Sequence, residues 1–122
     1  MKIHRTLFSL LALLSAVTVA SAQQNEGPPL PDVFAEPMPL YPSAIGDLTH
    51  PISTVVEGAQ AYFDQGFQLM FAFTKVDAAR SFREAQRLDS NCAMCYWGEA
   101  WAWGSYLNGA MGADEAPHAY AA

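Results

Sequence analysis

AQAYFDQGFQLMFAFTKVDAARSFREAQRLDSNCAMCYWGEAWAW, residues 59–103, is the stretch whose reading decides the fold. Ala59, Tyr62, Gly66 and Leu69 return at a spacing of 34 as Ala93, Tyr96, Ala100 and Trp103. A fixed period of that length is the mark of a helical repeat, whose units bury their apolar faces by stacking on neighbours. The fold class expected is therefore all-α, with about one and a half helical-hairpin repeats: the first over 59–92, a partial second over 93–122.

Punctuation around the stretch gives the helices. Thr54-x-x-Glu57 has capping-box spacing and predicts a first helix from about Val55 to Phe73. A turn is expected at Lys75–Asp77, then a second helix to Leu88 with Ala78, Phe82 and Ala85 on its apolar stripe. Asp89, Ser90 and Asn91 are stop-and-cap residues, placing a third helix from near Cys92 to about Tyr106. Asn108-Gly109 and Gly112 break it, and Asp114-Glu115-Ala116-Pro117 has the chemistry of a fourth helix start. The residues expected to hold the repeats together are Ala59, Tyr62, Gly66, Leu69, Ala78, Phe82, Ala85, Tyr96, Ala100 and Trp103. Gly66 and Ala78 lack bulk where the first two helices cross, and the aromatics fill the space beside them.

The alternation of aromatic, small and bulky residues on one helix with Ala, aromatic and Ala on the next resembles the tetratricopeptide repeat. With GDLTHPIS before it and AARSFREAQRLDSNCAMCYWGEAWAWG after it, the stretch is similar to exported bacterial tetratricopeptide-repeat proteins of poorly defined function. The likeness runs from Gly46 to about Leu107. The chain departs from it at Ser90, where the repeat usually has proline, and at Thr74-Lys75-Val76, where relatives have Asn-His-Asp. The resemblance implies a longer protein, and one and a half repeats fall short of the three or so that a solenoid needs. Further repeats of the same protein are therefore among the expected partners.

Upstream of the repeats the composition changes twice. Lys2 and Arg5 precede an apolar run, Leu7–Ala20, that ends in Ala20-Ser21-Ala22; this is the grammar of a cleaved signal peptide over residues 1–22. A periplasmic or secreted protein follows, with no stable membrane anchor after cleavage. Residues 23–52 carry all but one of the 8 prolines and read as an extended arm, whose Phe34, Met38, Leu40, Tyr41 and Ile45 suit it to lie against the helices. Twelve acidic side chains stand against Lys75, Arg80, Arg83 and Arg87 beyond the leader, a balance that disfavours nucleic acid as a partner.

The first helix of such a repeat lines a concave groove. Gln60, Phe63, Phe67, Met70 and Phe71, with Met94, Trp97 and Trp101 from the next repeat, are expected to face it and to suit a protein or peptide segment. Cover by the arm or by further repeats is the competing account, since so apolar a surface is a solubility hazard. Cys92-Ala93-Met94-Cys95 is the one reactive-looking motif. In an oxidising compartment it reads first as a local disulfide or two buried thiols, then as a thiol-disulfide redox pair, and last as part of a haem or metal site. Tyr96 stands where a c-type haem motif needs His, and no metal or other cofactor is implied. Arg80, Arg83 and Arg87 form a row on the second helix that reads as solvated, with Arg80 and Glu84 spaced as an ion pair, and His50 reads as a turn residue. The expected function is a non-catalytic binding scaffold.

Overall fold

The computed structural model describes residues 28–42 and 45–122; the expected leader, residues 1–22, lies outside them. The protein is all-α: α1 spans Glu57–Phe71, α2 Lys75–Leu88, α3 Ala93–Trp103 and α4 Ala116–Ala121, preceded by one 3-10 turn at Asp32–Ala35. No strand occurs among the described residues, only a single bridge between Tyr106 and Gly109. α1 and α2 make an antiparallel hairpin, α3 packs on α2 and reaches α1, and α4 packs on α3.

One ring explains how closely these helices approach. Phe82 on α2 is fully buried between Gly66 of α1 and Gly98 of α3. A Cβ at Gly66 would lie 2.9 Å from that ring and one at Gly98 only 2.5 Å from it, so both helices rest their backbones on its edge. Around it pack Ala59, Phe63, Leu69, Met70, Ala78, Ala79, Ala85, Ala102 and Trp103, all buried.

The helix ends depart from the sequence reading in ways that local chemistry explains. Val56, not Thr54, is the N-cap of α1, and no side chain caps it. The Thr54 hydroxyl instead accepts from the Val56 amide at 3.2 Å and donates to Asp89 Oδ2 at 2.6 Å, tying the entry of α1 to the end of α2. The turn falls at Ala72–Thr74 rather than Lys75–Asp77. Phe73 adopts φ 66, while its amide bonds the Met70 carbonyl at 3.2 Å and the Thr74 amide bonds that of Leu69 at 3.1 Å. That is a Schellman closure with phenylalanine where glycine is usual, at a cost of about 1 kcal/mol or more. At α3 the cap is Cys92, whose Sγ accepts from the Cys95 amide at 3.2 Å; Asp89 bonds the Asn91 amide in a turn before it.

Residues 28–42 of the arm lie along α1 and α2 on a side defined by Met38, which is buried, and by Phe34, stacked on Trp103 at 5.3 Å. Gln65, also buried, accepts from the Tyr41 amide at 2.7 Å and donates to the Pro39 carbonyl at 2.9 Å and to Ser81 at 3.1 Å. The Tyr62 hydroxyl donates to the Met38 carbonyl at 2.8 Å. Proline-rich backbone has few donors of its own, so its carbonyls take them from the helices.

Arg83 and Arg87 of the arginine row are exposed as expected, whereas Arg80 is largely covered. Arg80 donates to the Glu36 and Pro37 carbonyls of the arm and pairs with Asp77 at 3.1 Å, not with Glu84. Glu84 pairs with Arg87 at 2.7 Å, and Arg83 reaches across to Glu99 of α3 at 2.6 Å.

α4 is held by Lys75, which donates to Glu115 Oε1 at 2.8 Å and to the Gly104 carbonyl at 3.0 Å, and by the stacking of His118 on Trp103 at 4.6 Å. The Lys75 hydrogen bond and then the Gly112 amide hold the Glu115 carboxyl below its ordinary value of 4.5. A lowered folded-state value means stabilisation that is present above the ordinary value and is lost as pH falls through the lowered one. Acidification below pH 4.5 should therefore shift the amide NMR signals of Ala119 and Tyr120 towards free-peptide positions, and Glu115→Gln should show those positions at neutral pH. If α4 stays docked at neutral pH in Glu115→Gln, the ion pair is not what holds it.

Candidate peptide-binding surface

Two interleaved stripes run along α1. Ala59, Phe63, Gly66 and Met70 follow the steps of four, three and four residues that keep one side of a helix aligned, and all four are buried. Phe63 and Met70, expected to face a groove, are thus 0% and 1% exposed and belong to the core. The neighbouring stripe carries Gln60, Asp64, Phe67 and Phe71, and this one reaches the surface. Of the residues expected to pack, Ala59, Gly66, Leu69, Ala78, Phe82, Ala85 and Trp103 are buried. Tyr62, Tyr96 and Ala100 are only half-buried: Tyr62 faces the arm, and the Tyr96 hydroxyl donates to the Ser90 carbonyl at 3.3 Å.

On the outer stripe the rings join into one surface. Phe67 meets Phe71 at 5.3 Å and Trp101 at 5.7 Å; Phe71 meets Trp101 at 6.1 Å; Trp101 stacks on Trp97 at 5.3 Å. Offset and edge-on contacts at these distances are the favourable ones for aromatic pairs. Phe71 is 64% exposed and Trp97 47%, while Phe67 and Trp101 are half-buried. Met94 is half-buried and leans on the core.

The surface continues into an apolar cleft of about 320 Å³ lined by Met70, Phe71, Phe73, Trp101, Ser105, Tyr106 and Leu107. Tyr106 forms its far wall, edge-on to Phe73 at 5.4 Å and anchored through its hydroxyl to the Met70 carbonyl at 3.0 Å. Phe73 and Tyr106, expected as the last residues of the first and third helices, instead lie beyond α1 and α3 in a turn and a loop, and with Leu107 they join a surface that helical spacing alone does not assign to them. His50 was read as a turn residue, yet its ring stacks on Phe67 at 4.9 Å and covers one end of the aromatic run.

Cys92 and Cys95 are joined by a disulfide with Cα atoms 5.3 Å apart, and both residues are buried. Thiol–disulfide exchange needs an attacking thiolate to reach a sulfur, and among the described residues both cysteines are covered. Among the described residues no three His, Cys, Asp or Glu side chains converge as a metal site, and no helix is long and apolar enough to cross a membrane. In comparison with known proteins, no family model, no curated protein and no solved structure matches this chain.

Proposed function

We propose that this protein is an exported scaffold of the tetratricopeptide type that binds a protein or peptide segment through the aromatic surface of α1 and α3. The observation that carries the reading is the unbroken run Phe67–Phe71–Trp101–Trp97 with two of its rings open to solvent and an apolar cleft at its side. Rigid aromatics bring much contact area at little entropic cost, and a cleft beside them suits an anchoring side chain. Supporting the repeat assignment are the α1–α2 hairpin, the docking of α3 on α2, and the spacing of 34 between matching positions. Supporting an extracytoplasmic site of action are the leader-like residues 1–22 and the disulfide, which suits an oxidising compartment.

Phe71→Ala with Trp101→Ala tests the surface. Peptides selected from a random library against the native chain should bind the double variant at least about 30-fold more weakly, as the loss of two aromatic hot spots implies. Phe71 is largely exposed but Trp101 is half-buried against the core, so the variant should melt lower, and binding is compared at a temperature where its circular dichroism shows it folded. Equal binding by both proteins would place recognition elsewhere.

A further inference from the structure

The polar members of the outer stripe of α1 do something the aromatic surface does not. Gln60 accepts from the Ile52 amide at 3.0 Å and donates to the His50 carbonyl at 2.9 Å. Asp64 accepts from the His50 amide at 2.8 Å and from the Gln60 amide group at 2.9 Å; Gln68 donates to the Leu48 carbonyl at 3.1 Å. The helix thus grips the main chain of residues 48, 50 and 52, every second residue of a segment running antiparallel to it.

The match is metric. Residues four apart on a helix rise by about 6 Å, and two residues of extended chain advance by about 6.6 Å. Three rungs at i, i+4 and i+8 therefore keep step with an extended backbone, and the ladder ends where Val56 and Ala72 supply no polar side chain.

What the ladder holds is weakly anchored by its own side chains. Asp47, Leu48, Thr49, His50 and Pro51 are all exposed, Leu48 at 55%, and only Ile52 is half-buried. Its side-chain contacts are the His50 ring, on Phe67 at 4.9 Å and beside Phe63 at 6.0 Å, and the partly buried Ile52 against the core. The earlier pass of the arm is different, with Met38 buried and Phe34 stacked on Trp103. Exposed hydrogen bonds contribute little net free energy each, whereas buried apolar anchors contribute more.

We infer that Gln60, Asp64 and Gln68 form a main-chain-reading peptide site, filled in cis by residues 48–52 and open to exchange with an extended segment from another molecule. Its ligand class is a short extended peptide with a flat ring at the central rung, followed by proline. The site shares Phe67 with the aromatic surface but does not depend on that surface binding anything. Because only four residues separate the segment from α1, its effective concentration is high, and a free peptide competes only when the cis segment is weakened.

The probe is a fluorescein-labelled peptide of sequence GDLTHPIS, titrated by anisotropy into the full chain and into full-length His50→Ala/Ile52→Pro, which removes from the segment the ring, one donated hydrogen bond and the Ile52 side chain that the peptide itself carries. The peptide should bind this variant at least tenfold more tightly than the native chain, and Asp64→Ala added to the variant should abolish the gain, with Phe71→Ala/Trp101→Ala leaving it intact. Equal binding to native and variant chains, no binding to either, or indifference to Asp64→Ala would each overturn the site. So would dimerisation of the variant that the peptide fails to reverse, since the occupant would then be a second copy. Amide hydrogen exchange on the native chain gives a check free of mutations: the His50 and Ile52 amides should exchange well before that of Phe63, and exchange of all three together would show a segment that never leaves.

Discussion

Phe82→Ala is expected to cost about 3–5 kcal/mol, the range for emptying a fully buried aromatic site, and thus a large part of the stability of so small a domain. The ring is the common spacer for three helices: Phe63 packs on it at 5.4 Å, and Gly66 and Gly98 bring α1 and α3 against its edge. No neighbour can refill the space without moving a helix. Gly98→Ala approaches the same contact from the other side. Its new Cβ would meet the ring at 2.5 Å, so a strain of about 1–3 kcal/mol should outweigh the helix propensity gained over glycine, about 1 kcal/mol. Urea denaturation of both single variants and the double variant decides the point. The double variant should be more stable than the sum of the single losses implies, because the alanine at 98 no longer meets a ring; simple additivity would show that Phe82 does not set the spacing.

The second large effect concerns Glu99, an acid buried on α3. Its Oε1 accepts from Arg83 at 2.6 Å and from the Trp103 indole at 3.3 Å, and its Oε2 from Gln86 at 2.7 Å. Arg83 is partly exposed and recovers water when the carboxylate goes; the Trp103 indole is left inside without an acceptor, and the half-buried Gln86 keeps only the Cys95 carbonyl at 3.2 Å. Glu99→Leu should therefore destabilise by about 3 kcal/mol, the lower part of the range for breaking a buried pair. Glu99→Gln keeps one acceptor and should cost about 1 kcal/mol. Denaturation midpoints test both values, and a Glu99→Leu loss below about 0.5 kcal/mol would reduce the network to an ordinary surface contact.

Helices with strong periodicity were legible in the sequence, and so was the pairing of small residues with aromatics at Gly66, Ala78, Phe82 and Ala85. Which face of α1 is buried was not. Phe63 and Phe67 are the same residue type four positions apart, and only the approach of Phe82 and of the arm makes one core and the other surface. Gly98 escaped notice because its role depends on a ring in a different helix. Thr54 and Glu57 have the spacing of a capping box, but the hydroxyl finds a stronger, charge-assisted acceptor in Asp89, distant in sequence. The turn at Phe73 carries no stop residue, so its place was invisible to punctuation. The aromatic run was legible as composition; its cleft and its ladder needed the fold, since Tyr106 and His50 come from segments without a period.

The arm has a further consequence for how the protein is made. Synthesis runs from the N-terminus, so residues 28–42 emerge before any helix that receives them. Gln65 and Arg80, which take up their carbonyls and amides, follow at separations of up to 44 residues. The arm's docking surface is incomplete until α2 has been made, and loop closure over such separations comes after the local helical contacts form. Although this part of the arm is made before all four helices, it is thereby among the last of the described residues to find its place. During that interval its extended, proline-rich backbone and the buried faces of α1 and α2 stand open together to chaperones and proteases.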